Sequence, residues 1–240
     1  WRMEVTVRPD GVTVVNDAGA AMKRADWDRV RGAARGLVSP GDIVLCMGSF
    51  PPDLPTGSLG GLIDDVHAAG GRILVDTAPE WLAEALAHGA DVVTPNLDEA
   101  EATIVSGVGT LMDSHTLSAD AVRPRAEAAA LALSKRGARR ALVTAGSAGV
   151  AMARDGEVSW FPAFHVKAVS TVGAGDSFVA GLAHEWLRAG VDDVDWGAAV
   201  NFGIAAAAAS CEHVLAGGAQ ADRILEIVGL LSVAAGSAAS

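Results

Sequence analysis

Cysteine is scarce in this chain. The two residues, Cys46 and Cys211, lie far apart and without the spacing of a metal site. Both sit in apolar runs and read as buried free thiols, which fits a reducing, cytoplasmic setting. Basic residues are few as well: 18 Lys and Arg stand against 29 Asp and Glu, for a formal net charge of −11. So acidic a surface repels nucleic acid and anionic membranes, and neither is an expected partner. An anionic substrate would need a local electropositive pocket built from backbone amides, a few cations or a metal. No apolar run is long enough to span a bilayer; the longest, 204–210, is mostly alanine. No signal peptide is visible.

Several catalytic signatures are missing too. There is no G-x-x-x-x-G-K-S/T, which excludes a P-loop enzyme. Gly107-Val108-Gly109 lacks the third glycine and the preceding strand of a dinucleotide fingerprint. Ser147 has Ala145 two residues before it, so no nucleophile elbow is present. The six histidines are scattered without ligand pairing, and the tryptophans are dispersed and read as packing.

What remains is a well-packed α/β composition. Half of the 240 residues are hydrophobic, enough for one large domain with a sizeable core. Strands are expected over 3–7 and 12–15, joined by a Pro-Asp-Gly turn. A helix capped by Asp26 runs towards Gly36. Strands over 43–47, 73–76, 91–94 and 141–144 alternate with helices over 56–69, 80–88, 98–105 and 123–137. A hairpin follows over 150–153 and 157–161. Helices then cover about 175–189, 195–210 and 219–232. Strand–helix alternation predicts right-handed crossovers and a mainly parallel sheet covered on both faces. Ligands in such sheets bind beyond the carboxyl ends of the strands. The loops after 48, 94, 144 and 170 fall at those ends.

The strongest chemical signal is Ser170-Thr171-Val172-Gly173-Ala174-Gly175-Asp176-Ser177, after a strand-like stretch and at the start of a helix. Gly173 and Gly175 let peptide N–H groups point into the space before that helix. The unpaired N–H groups of its first turn and its dipole add to them, which suits a phosphoryl group in transfer. Asp176 at the mouth could take a proton from an attacking hydroxyl. The spacing alone leaves an ordinary capping Asp equally open. In Thr94-Pro95-Asn96-Leu97-Asp98-Glu99, Asn96 and Glu99 share a helix face, and Glu99 is a hard oxygen ligand suited to Mg2+. A capping box between the two is the stronger reading of that spacing alone. Thr144 to Gly149 offers small and hydroxyl residues that let a phosphate approach, a weak signal by itself.

Together these segments resemble the ribokinase-like, PfkB-type carbohydrate kinase family, and more narrowly its 1-phosphofructokinase and tagatose-6-phosphate kinase branch. Thr171 to Ser177 resembles the C-terminal signature, Pro95-Asn96-x-x-Glu99 the Mg2+ and phosphate motif, and Thr144 to Gly149 the nucleotide loop. Gly48-Ser49-Phe50-Pro51-Pro52 is similar to a Gly-Ser-Leu-Pro-Pro segment, and Asp10-Gly11 through Asn16 to the lid strands. The resemblance implies an αβα sandwich as a single kinase domain over 1–240, with lid strands in 1–16 and the core in 17–240. It implies phosphoryl transfer from MgATP to a hydroxyl of a sugar phosphate. It makes Asp176 the base, with Gly173, Ala174 and Gly175 as the anion hole. Asn96, Thr144, Gly146, Gly149 and, more weakly, Asn201 serve the nucleotide. Glu99 serves the metal, and Arg2 and Ser49 the substrate. Lid strands in this family often pair between subunits, so the resemblance allows a homodimer through them.

Four departures from the family pattern bear on these expectations. Thr94 stands where the phosphosugar branch has Lys, and Glu4 where a polar amide is common; both point to an unphosphorylated sugar or nucleoside as acceptor. Ser170 stands where ribokinase has an Asp near its monovalent-cation site, so K+ dependence is not expected. The family's N-terminal portion has no counterpart, and the chain opens Trp1-Arg2-Met3, so missing upstream sequence is expected. That gap favours a third reading, a non-catalytic nucleotide-binding relative.

Overall fold

The computed structural model describes residues 3–8, 11–16, 19–105 and 118–238. β1 (Met3–Arg8) and β2 (Gly11–Asn16) pair antiparallel in a two-stranded sheet of their own. The main sheet has six strands in the order β3 (Ile43–Met47), β4 (Arg72–Asp76), β5 (Val92–Val93), β6 (Arg140–Thr144), β7 (Gly149–Arg154) and β8 (Glu157–Pro162). β3 to β6 run parallel, and β7 and β8 return antiparallel as a hairpin. The helices are α1 (Arg24–Leu37), α2 (Ser58–Ala68), α3 (Pro79–Ala87), α4 (Leu97–Ile104), α5 (Ala119–Lys135), α6 (Ala174–Ala189), α7 (Trp196–Cys211) and α8 (Ala221–Ala238).

The period-two alternation of the strands sorts the core into two layers. Ile73, Val75, Val93, Ala141, Val143, Ala151 and Ala153 face one way and pack on α1 to α5. Their neighbours Leu74, Val92, Leu142, Val150 and Met152 face the other way, onto α6 and α7. Ile227 of α8 packs behind α7 on Ala205, Ala208 and Ala209. The result is the expected three-layer αβα sandwich with a mainly parallel sheet. β3 is an edge strand among the described residues, and its Leu45 is 41% exposed.

The departures have local causes. Asp26 does not cap α1; the helix starts three residues earlier than that reading needs, Lys23 holds the cap position, and Asp26 instead pairs with Arg29 in the first turn. β5 is short because Pro95 ends it. The backbone ladder nevertheless continues on either side, through Asp91 N–H to Ile73 C=O (3.1 Å) and Thr94 N–H to Val75 C=O (3.1 Å). α5 begins before Pro124, which lies inside it and leaves one turn without its N–H donor. No strand forms in 163–170; this stretch is tied instead to the end of α7, where Val169 N–H donates to Cys211 C=O at 2.7 Å.

α6 and α7 are antiparallel and lie in close contact because of two glycines. A Cβ on Gly203 would stand 2.8 Å from both the ring and the carbonyl of Phe178, and one on Gly181 would stand 2.9 Å from Cβ of Ala206. Gly203→Ala should therefore overpack this seam and cost about 1–3 kcal/mol. Urea unfolding should show it as a lower midpoint at unchanged slope.

Candidate functional site

The four parallel strands deliver their carboxyl ends to one side of the sheet, and the chemistry-bearing loops follow them there. After β3, Gly48 takes a left-handed backbone, with φ at 86°. Its N–H donates to Asp76 C=O (2.8 Å), and its C=O accepts from the Thr77 hydroxyl (2.8 Å). The exposed Ser49 is thereby held beside the end of β4. After β5, Asn96 caps α4. Its side chain accepts from Glu99 N–H (2.9 Å), while the Glu99 carboxylate accepts from Asn96 N–H (3.0 Å). The capping box is therefore real, and it also fixes the direction of the Glu99 carboxylate. Asn96 forms a bridge to Thr144 at the end of β6, which brings the α4 start against the β6 loop.

The last part is the start of α6. Gly173 caps the helix in the left-handed region, with φ at 77° and ψ at 10°. A Cβ there would meet that of Ala216 at 2.7 Å, so glycine is required twice over, for the backbone and for space. Ala174 N–H is already used, donating to Thr171 C=O at 3.2 Å. The N–H groups of Gly173, Gly175 and Asp176 meet no protein acceptor among the described residues. Space beyond Gly175 is open, and Asp176 is exposed rather than turned into the interior. Three free donors at a helix start, with one carboxylate over them, can bind an oxyanion and accept a proton beside it. Of the anion-hole residues expected, Gly173 and Gly175 have free donors, and that of Ala174 is taken up in the turn.

Sequence reasoning missed Asp76, the last residue of β4. Burial, then the charges of Glu99 and Asp176, push its carboxyl up to about 7. Glu99 is also raised, first by burial, although its bonds to Asn96 oppose the shift. Asp76 thus feels two carboxylates from two other segments, a repulsion that a cation would relieve. Among the described residues no three acidic, His or Cys groups stand close enough to ligate a metal directly. Between Asp76 and Asn96 the Thr94 hydroxyl is buried and has no hydrogen-bond partner.

The other expected residues divide. Thr144 stands beside Asn96, and the exposed Gly146, with φ at 53°, lies in the loop that follows. Gly149 is buried at the other end of that loop, where its C=O accepts from Ala145 N–H (2.8 Å), and a Cβ on it would stand 2.2 Å from Phe161 C=O. Asn201 lies in the second turn of α7. Ten residues separate it from Cys211, the end that meets 169–170, or about 15 Å along the axis. Arg2 lies outside the described residues.

Comparison with known proteins agrees with this arrangement. The family model described as "pfkB family carbohydrate kinase" matches residues 4–222. A 1-phosphofructokinase of Rhodobacter capsulatus is 31% identical over 73% of this chain and 52% of its own length. One of Haloferax volcanii is 32% identical over 75% of this chain and 54% of its own. The chain thus spans about half the length of the curated relatives it matches. Among solved structures, phosphofructokinase-2 of Escherichia coli in complex with potassium superposes with a TM-score of 0.76 at 26% identity, over 92% of this chain and 67% of that one.

The raised Asp76 gives a pH prediction. Its neutral form is favoured by the fold, so the stability it contributes is full below the unfolded value near 4 and is lost as pH rises through about 7. In metal-free protein, Asp76→Asn should raise the thermal midpoint at pH 8 and change it little at pH 4, as differential scanning fluorimetry would measure.

Proposed function

The chain belongs to the pfkB family of carbohydrate kinases, and from that premise we propose that it catalyses ATP-dependent phosphoryl transfer to a hydroxyl of a sugar phosphate, as 1-phosphofructokinases do. The observation that carries this reading is the start of α6: free N–H groups on Gly173, Gly175 and Asp176, open space before them, and an exposed carboxylate at the rim. In the proposed step Asp176 accepts the proton of the acceptor hydroxyl. The hydroxyl oxygen bonds to the γ-phosphorus as the bond to the β-γ bridging oxygen breaks, and ADP leaves. The peptide N–H groups donate to the oxygens of the transferring group, where charge is concentrated. Positioning and electrostatics are most of what a protein can add to this chemistry.

Asn96, Thr144 and Gly146 are proposed to flank the nucleotide phosphates. The repelling set of Asp76, Glu99 and Asp176 fits a divalent cation, which Asp76 and Glu99 would hold through water. Mg2+ in that position would supply positive charge against the phosphate oxygens. β1 and β2 would serve as a lid that excludes water, and as the pairing surface of a homodimer. Cys46 and Cys211 are both free, in keeping with a cytoplasmic setting, and no helix among the described residues is long and apolar enough to cross a membrane.

One observation favours a second acceptor. Thr94 stands where the phosphosugar branch usually has Lys, and a neutral hydroxyl there suits a free sugar better than a phosphorylated one. Coupled ADP-release assays with fructose 1-phosphate, fructose 6-phosphate, tagatose 6-phosphate and free sugars decide between the two. A preference for phosphorylated acceptors of tenfold or more in kcat/KM is expected. Asp176→Asn should lower kcat by about 100- to 10,000-fold while leaving the Kd for ATP near that of the parent. Full turnover in that variant would remove Asp176 from the mechanism.

A further inference from the structure

At the opposite pole, where the parallel strands begin, the surface sinks into a depression of about 560 Å3. In a chain with 18 basic residues and a net charge of −11, five of those 18 line this one basin: Arg72, Lys135, Arg139, Arg140 and Arg154. Three carboxylates face them, Asp91, Asp155 and Asp192. The basin is therefore locally positive on an otherwise acidic molecule, and the side chains show why that charge is not neutralised internally.

Arg140 opens β6 and stands directly opposite Arg154 of β7 in the antiparallel register. Like charges in that relation destabilise a sheet unless something offsets them. The Arg140 guanidinium lies 4.3 Å over the ring of Trp196, and its Nε is buried without an acceptor. Burial first, and then Arg154, hold that guanidinium below its ordinary range. Neither Arg140 nor Lys135 forms a salt bridge among the described residues.

The carboxylates are poorly placed to neutralise this charge. Asp91 is committed to the fold: its Oδ2 accepts from Ile73 N–H at 2.9 Å and lies 2.8 Å from His67 Nε2. Arg139 and Arg72 approach its other oxygen only to 3.4 and 3.7 Å. Asp155 and Asp192 are 83% and 78% exposed, and their pairs with Arg154 and Arg72 are rim contacts of little strength.

We propose that this basin binds a small, multiply charged oxyanion of the polyphosphate or phosphorylated-metabolite class, at a site separate from the start of α6. Guanidinium forks match phosphate oxygens bidentately, and several of them converge in a space suited to a small molecule. A polyanionic macromolecule is disfavoured, because the molecule's net charge of −11 repels it. The inference rests on the basin alone and stands whatever the chemistry at the other pole.

The test uses inorganic pyrophosphate and the indole N–H resonances of the intact 15N-labelled protein. Trp196, under Arg140, and Trp186, on the basin wall, are the reporters. Both signals should shift saturably with pyrophosphate and not with sodium chloride of equal ionic strength. The double variant K135Q/R154Q changes two exposed side chains, and its apparent Kd from the same signals should be at least tenfold weaker. The proposal is overturned if these two indoles stay still in the parent protein, whether or not other signals move. It is equally overturned if the double variant, shown to be folded by its remaining spectrum, binds with parental affinity.

Discussion

The site depends on one backbone conformation. Gly173 enters the left-handed region at the start of α6, and the turn it makes leaves the peptide N–H groups of Gly175 and Asp176 without a protein acceptor among the described residues. Any side chain at Gly173 would collide with Ala216 in the loop between α7 and α8. The helix start is thus held by the packing of a later segment, which fixes its free N–H groups in place. The close seam between α6 and α7, set by Gly181 and Gly203, fixes the helix that carries them.

Charge is distributed by pole. At the carboxyl ends of the strands, Asp76, Glu99 and Asp176 concentrate negative charge around a small nest of amide donors. Arginines gather where the strands begin. Each concentration is costly alone. Asp76 shows the cost on one side as a carboxyl raised to about 7, and Arg140 shows it on the other as a buried Nε without an acceptor. Uncompensated groups of this kind mark places where a ligand's charge has a role in the balance.

Much of this was legible in the sequence. The alternation of short apolar runs with helical segments marks β3, β4, β6 and the α/β class. Gly173-Ala174-Gly175-Asp176 marks the helix start, because glycine spacing and a first-turn carboxylate are local signals. The Asn96–Glu99 box was readable for the same reason. Asp76 was not: as the last residue of a strand it looks like any polar terminator, and its importance comes from Glu99 and Asp176, which only the sheet brings near. Gly149 has a packing reason as well, since an added Cβ would strike Phe161, and sequence does not reveal that neighbour. Asp26 misled because the helix found an earlier start at Arg24 that pattern alone does not reveal. The arginine basin was invisible because its members belong to different strands and helices.

The open border of β3 has a practical consequence. Its outer peptide groups have no strand beside them among the described residues, and Leu37, Leu45 and Leu187 form a greasy strip next to it. Bare ladder positions beside aliphatic side chains act as a template for any extended polypeptide, including another molecule of the same kind. In concentrated solution the protein should therefore be prone to cling to itself along this margin, and a charged residue in place of Leu45 should improve its handling.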